Sequence, residues 1–251
     1  MTTATDVSAT VREPALLGQT VLVIGGSAGI GLATAHLARA EGAQVVLTGR
    51  DPQRLERVAA DLGARGYDAF DAHDPRSLDG FFQSLTAPVD HVMVTAGGPY
   101  YAPLADMDVT DACHYLAAHV GLTLQVARSA ARIMRPGGTL LFMGGTGARK
   151  PAIGISITAL LTAGVPALIA NLALELAPIR VNLIAAGFVD TPLSASLLGD
   201  HLDARREQLR ATLPIRRVVI PHDVAMLAVH LMTNTALTGA TLDIDGGQQL
   251  T

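Results

Sequence analysis

The sequence predicts an α/β fold built on a doubly wound parallel sheet. From about residue 16 onward, short β-branched runs alternate with longer segments of helical character. Several of the short runs are apolar at consecutive positions, as strands covered on both faces must be. The first run passes through a glycine-rich turn into a helical segment, the layout of a βαβ unit with a right-handed crossover.

Residues 1–15 are polar and without periodicity, and read as a flexible leader to one domain over 16–251. Strands are predicted at 19–24 (QTVLVI), 44–48 (QVVLT), 91–95 (HVMVT), 139–143 (TLLFM), 180–184 (RVNLI) and 241–244, with a third strand beside Tyr67. Helices are predicted at 31–40, 52–62, 104–134 and 167–176, the last as the end of a segment over 155–176 with Pro166 set to kink it. Arg205, Arg206, Glu207 and Arg210 read as the charged face of a further helix. No repeat or low-complexity tract interrupts the pattern.

Composition narrows the function classes. At 251 residues and 49% hydrophobic content there is ample material for one large core. The net charge of -4 gives no electrostatic case for nucleic acid or an anionic membrane. No apolar run reaches the ~20 residues a bilayer requires, and the start of the chain lacks the apolar stretch of a secretion signal. One cysteine, Cys113, excludes an internal disulfide and fits a reducing cytoplasm, and its helical setting suggests packing. The histidines form no metal-ligand spacing with one another or with Cys113, so no metal site is expected. There is one lysine, Lys150, with four tyrosines and no tryptophan, so chemistry that needs an amine or a phenol has few sources.

The strand at 19–24 runs directly into Gly25-Gly26-Ser27-Ala28-Gly29-Ile30-Gly31. A strand, a glycine turn and a helix N-terminus direct backbone N–H groups and a positive helix end at a pyrophosphate. Glycines are required there because a side chain would hold the phosphates away from the backbone. The spacing is G-x-x-x-G-x-G, which with its flanking residues resembles the short-chain dehydrogenase/reductase family. Further matches follow in order. Thr95-Ala96-Gly97 resembles the family's Asn-Ala-Gly element, and Asp71-Ala72 its adenine-contacting pair. Ala186-Gly187-Phe188-Val189-Asp190-Thr191 resembles its Pro-Gly-x-x-x-Thr loop at the nicotinamide, with Ala186 for proline. Leu237-Thr238-Gly239 through Asp245-Gly246-Gly247 resembles its C-terminal signature. The resemblance covers about 16–248 and implies a Rossmann-like sheet of order 3-2-1-4-5-6-7, a small-molecule substrate and a homodimer or homotetramer. The residues it implies at the cofactor are Gly25, Ser27, Gly29, Ile30, Gly31, Arg50, Asp71, Ala72, Ala96, Gly97, Gly187, Val189 and Thr191. Ile24 stands where the family has threonine, which weakens the bonding expected between the first and fourth strand ends.

The second strand ends Leu47-Thr48-Gly49-Arg50. An acid there would accept from the adenosine ribose and repel a 2′-phosphate. Gly49 occupies the position where NAD-selective members carry aspartate, and the Arg50 guanidinium can hold a phosphate in bidentate fashion. NADP(H) is therefore favoured over NAD(H), against an Arg50 that merely pairs with Asp51.

The resemblance also implies an active site of asparagine, serine, tyrosine and lysine, the last two four residues apart on one helix face. The lysine lowers the tyrosine's pKa and holds the ribose. Counting from Ala173-Leu174-Glu175-Leu176 and Ile179-Arg180-Val181-Asn182, those positions fall on His119, Gly145, Thr158 and Thr162, and none matches. A threonine hydroxyl is a far weaker acid than a phenol and carries no ammonium charge. Tyr100, Tyr101, His119 and Lys150 are the candidate substitutes, against their plainer reading as pocket wall and solvated charge. Three functions remain open: an NADP(H)-dependent oxidoreductase of carbonyl or alcohol substrates with a relocated proton donor, a non-catalytic NADP(H)-binding sensor or partner subunit, and a non-redox enzyme of dehydration or rearrangement.

Overall fold

In the computed structural model, which describes residues 12–251, strand and helix alternate along the chain. The order is β1 (Thr20–Ile24), α1 (Gly29–Ala40), β2 (Gln44–Gly49), α2 (Pro52–Leu62), β3 (Gly66–Ala69), α3 (Pro75–Ser84), β4 (Val89–Val94), α4 (Val109–Ala130) and β5 (Met134–Gly145). There follow α5 (Ser156–Glu175), β6 (Arg180–Ala186), α6 (Pro192–Leu198), α7 (Leu202–Thr212), α8 (Pro221–Thr233) and β7 (Thr241–Ile244). The seven strands pair in parallel in the order β3-β2-β1-β4-β5-β6-β7, the Rossmann-like order expected.

Alternation along each strand divides the core between two layers. Leu22, Ile24, Val92, Val94, Leu140 and Phe142 face α3, α4 and α5, meeting Phe81, Val126 and Ile169. Val21, Val23, Val45, Leu47, Met93 and Leu141 face α1, α2 and α8, meeting Ala35, Leu55 and Ala228. Arg180, 6% exposed, fastens α8 to the sheet by donating to the carbonyls of Leu231 (2.8 Å), Met232 (2.8 Å) and Asn234 (2.9 Å). A guanidinium at a helix C-terminus meets both the open carbonyls and the negative end of the dipole.

Several boundaries differ from expectation. The helix predicted over 104–134 begins at Val109, because the Asp108 side chain caps it by accepting from Thr110 N (2.8 Å) and Asp111 N (3.1 Å). Its far end stops at Ala130, and Met134 belongs to β5. The helix α5 runs unbroken through Pro166, which leaves the carbonyl of Thr162 without its usual donor four residues on. That helix is also long and apolar enough to cross a bilayer by length and composition, contrary to the count of apolar runs, because Ser156, Thr158, Thr162 and Asn171 only interrupt it. Here it lies against the sheet through Val165, Ile169, Leu172 and Ala173. Cys113 is exposed on α4 and takes no part in packing. Residues 1–11 of the expected leader lie outside the described residues, and the next four are tied down at Glu41, which pairs with Arg12 and accepts from Ala15 N at 2.9 Å.

Candidate active site

The glycine turn lies where strand order reverses, between β1 and β4, at the carboxyl ends of the strands. Gly25 has φ +93°, and a Cβ there would stand 2.8 Å from Ala96 N and from Thr95 Oγ1. A Cβ on Gly31 would stand 2.4 Å from the carbonyl oxygen of Gly25. Both positions therefore require glycine. Ala28 precedes α1 without a side-chain cap, and the first turn carries no acid, whereas Asp51, Asp74 and Asp108 cap α2, α3 and α4. The leading N–H groups of α1 are thus left for a ligand. The weakened junction expected from Ile24 is not found: Thr95 Oγ1 bonds the carbonyls of Ile24 (3.2 Å) and Gly25 (3.0 Å) from the opposite strand.

A roof closes over this turn. Thr191 caps α6, accepting from Ser194 N at 3.1 Å, and lies 3.5 Å from where a Gly29 Cβ would be. Leu193 reaches across to within 3.6 Å of a Cβ built on Gly98. Arg206 holds α7 to the same loop through both oxygens of Asp190, at 2.8 and 3.0 Å. Gly187 is sealed from behind, since a Cβ there would stand 2.6 Å from the Cβ of Asp245. Val189 is buried and bridges to Val219, so it offers the cleft its main chain only.

At the other end, Gly49 is buried against Ser27, whose Oγ would lie 2.9 Å from an added Cβ. Arg50 is exposed, and Asp51 is engaged elsewhere, capping Arg54 N at 3.0 Å and pairing with its guanidinium at 3.9 Å. Among the described residues Arg50 has no carboxylate within ion-pair distance. The N–H of His73 donates to Asp71 at 3.0 Å and, with the His73 ring and the charge of Arg50, holds the Asp71 carboxyl below its usual range. Ala72 is buried beside Leu78 and Phe81, so its methyl belongs to the core. Ala96 and Gly97 follow β4 along the cleft, and His73 Nε2 lies 4.0 Å from a Cβ built on Gly97, whose φ is +114°.

A family model described as enoyl-(acyl carrier protein) reductase matches residues 25–249, nearly the whole described chain. Dehydrogenase/reductase SDR family member 4 from Sus scrofa is 31% identical over 94% of this chain and 89% of its own. The chain belongs to the short-chain dehydrogenase/reductase family. Another family member, malC from Malbranchea aurantiaca, is 27% identical over 94% of this chain and 96% of its own. A solved structure of MalC, described as a reductase/Diels-Alderase, superposes with a TM-score of 0.87 at 25% identity, covering 95% of this chain and 99% of that one. A small-chain dehydrogenase solved with NADPH gives a TM-score of 0.79 at 27% identity, over 93% of this chain and 99% of that one.

The four positions that the sequence resemblance assigns to catalysis lie on α4, at the end of β5 and on α5. Thr158, in the first turn of α5, donates through Oγ1 to the carbonyl of Tyr100 at 2.7 Å, so its proton is committed to the main chain. Thr162 lies one turn on and half-buried. Gly145 ends β5, and a Cβ there would meet only Ala186 O at 3.7 Å, so packing does not demand glycine. His119 is half-buried on α4, and burial followed by the charge of His73 lowers its pKa, which keeps the imidazole neutral at pH 7.

Two tyrosines just beyond Gly98 meet this wall differently. The hydroxyl of Tyr100 points to the Asp108 carbonyl at 3.4 Å. Tyr101 is 58% exposed, and partial burial raises the phenol's pKa, opposed by the charge of Arg205. Lys150 turns away to the main-chain oxygen of Thr251, and Arg149 beside it pairs with Asp243.

One residue of this wall escaped the sequence reading. Tyr115, absent from the candidates drawn from the sequence, packs 5.4 Å from Tyr100 and 6.1 Å from His119, and its hydroxyl bonds the Gly98 carbonyl. The signal was present: Tyr115 and His119 stand four apart on one helix and must share a face. Phe188 was also missed as a site residue, and its N–H is held by Gln248 Oε1 at 2.8 Å. That contact joins residues 60 positions apart and leaves no local trace. Among the described residues no group of His, Cys, Asp or Glu is arranged to hold a metal.

Proposed function

We propose that this chain is an NADP(H)-dependent oxidoreductase of small carbonyl or alcohol substrates whose proton donor has moved from α5 to the tyrosine wall. The observation that carries the proposal is the glycine turn over 25–31, where the backbone excludes a Cβ at Gly25 and Gly31 and the first turn of α1 is uncapped. The residues present fit a dinucleotide. The N–H groups of α1 would receive the pyrophosphate, and Arg50 would hold a 2′-phosphate. A bound nicotinamide would supply or accept the hydride. Asp71, Gly97, Val189 and Thr191 would orient the rest through main chain and hydroxyl.

The proton falls to Tyr101. Its hydroxyl has no intramolecular partner among the described hydrogen bonds, whereas those of Tyr100, Tyr115 and Thr158 are engaged. A phenol protonated at neutral pH can deliver that proton to a carbonyl oxygen, and neutral His119 can serve as acceptor or relay. The raised pKa keeps that proton on the phenol at neutral pH and makes Tyr101 a weaker acid than an ordinary phenol.

One observation favours a second reading. The Thr158 proton is tied to the main chain and the single lysine turns away, so the pocket could serve a non-redox reaction. The similar MalC is described as both a reductase and a Diels-Alderase. For assembly we infer a homodimer or homotetramer through α4 and α5, whose outward Leu124, Leu160 and Leu174 are 45%, 57% and 81% exposed.

Calorimetric titration with NADPH and NADH tests the cradle, and absence of saturable binding of either removes the oxidoreductase reading. A stopped-flow screen of NADPH oxidation against aldehydes and ketones then tests turnover. Tyr101→Phe should lower that rate by about 10²–10⁴-fold, and an unchanged rate would reject Tyr101 as the donor. Product formed without change in reduced nicotinamide would favour the second reading.

A further inference from the structure

We propose that the cavity between α7 and the C-terminal turn receives an anionic arm of the substrate, held by Arg205 and Lys150. The cavity has a volume of about 260 Å³, and its wall includes Thr146, Lys150, Arg205, Gln208, Gln248 and Gln249, with no aspartate or glutamate. That volume is below the ~300–1,000 Å³ of a site enclosing a whole drug-sized ligand, and suits one terminal group.

Position connects it to the reacting end of the cleft. Thr146 follows Gly145 directly, and Gln248 holds the N–H of Phe188. The Arg205 guanidinium lies 6.0 Å over the Phe188 ring, a cation–π distance that steadies it above the loop after β6. It is also close enough to Tyr101 for its charge to act on that phenol. A substrate whose carbonyl meets Tyr101 would therefore reach the cavity with its other end.

The pairing of neighbouring charges singles out these two cations. Arg149 is taken by Asp243, Arg206 by Asp190 and Asp203, and Arg217 by Asp223. Arg205 donates only to the Gln208 carboxamide, at 2.8 Å, and Lys150 to the main-chain oxygen of Thr251. The nearest acids are committed: Asp243 to Arg149, and Asp245 to Gly247 N at 2.8 Å and to Thr146 Oγ1 at 3.3 Å. Arg205, without a carboxylate partner among the described residues, over a wall of amides and hydroxyls, presents the complement of a carboxylate or phosphate, and Lys150, on the same wall, would exchange the Thr251 oxygen for that anion.

This inference rests on the proposed substrate cleft, and its test is separable from that proposal. Four probes are titrated by protein NMR in two matched pairs: 4-oxobutanoate with butanal, and glyceraldehyde 3-phosphate with glyceraldehyde. The charged member of at least one pair should bind about tenfold or more tightly than its neutral partner. The favoured pair identifies carboxylate or phosphate. Arg205→Gln and Lys150→Gln should each reduce that preference by about tenfold, and Arg205→Lys should restore part of it. Equal affinities within both pairs, or a preference that survives both glutamine variants, overturns the inference. NADPH is titrated separately. Silent NADPH with a retained anion preference would refute the oxidoreductase proposal alone, and normal NADPH binding without anion preference would refute the cavity alone.

Discussion

The hydroxyl of Thr158 is bonded to the carbonyl of Tyr100 at 2.7 Å. At the position that the sequence resemblance assigns to the family's phenol, this chain has a tether between α5 and the loop that presents Tyr100 and Tyr101. Thr158→Val keeps the shape and removes the donor. It should lower stability by about 1 kcal/mol in urea titration and weaken turnover by loosening Tyr101. A variant as stable and as active as the parent would show the tether to be idle.

Gly31→Ala tests the cradle. Its methyl would stand 2.4 Å from Gly25 O and 2.5 Å from Thr95 Oγ1, so the turn must open. Saturable dinucleotide binding should be lost and the melting temperature should fall. Gly80→Ala is the control, since it lies within α3 with nothing inside 4 Å of the added atom. That change should be neutral or stabilising by up to ~1 kcal/mol.

The layered fold was legible because parallel strands leave a strong local mark: Val21–Ile24 is apolar at every position and turns straight into glycines. The cradle was legible for the same reason, as a contiguous motif. Helix α4 was misjudged at its start because Asp108 overrides an apolar pattern that runs on through Leu104. What stayed hidden was contact across long sequence separation. Thr158 with Tyr100, Thr146 with Asp245 and Phe188 with Gln248 create the site's shape, and a threonine or glutamine carries no periodic sign of its partner.

Arg50 should discriminate the two dinucleotides. It is exposed at the end of β2, and Asp51 spends its carboxylate on α2. Arg50→Ala should weaken NADPH by about 10–100-fold, the scale of one or two charge-assisted hydrogen bonds, and leave NADH within about threefold. Parallel calorimetry with both dinucleotides measures this. Equal losses for the two would mean that Arg50 supports the fold of the turn and not the extra phosphate.

His91 should give the protein an acid-sensitive flank. The residue is 3% exposed, its Nε2 is bonded to Gln19 Oε1 at 2.6 Å, and its Nδ1 has no partner. Burial pushes its pKa down from 6.5 to about 4, with Asp90 opposing and Arg180 adding to the shift. Between those two values the unfolded chain binds a proton that the folded chain refuses. Stability from the neutral ring is therefore complete above pH 6.5 and declines as pH falls toward about 4. The loss approaches ~1.4 kcal/mol per pH unit and totals on the order of 3 kcal/mol. His91→Asn keeps a donor for Gln19 and removes the titration. Urea unfolding at pH 7, 6 and 5 should show a steeper loss in the parent than in the variant. His119 contributes equally to both proteins, and the ion-paired carboxylates lose their contribution only at lower pH, so the difference isolates His91. Identical slopes would mean that the buried ring accepts its proton without cost.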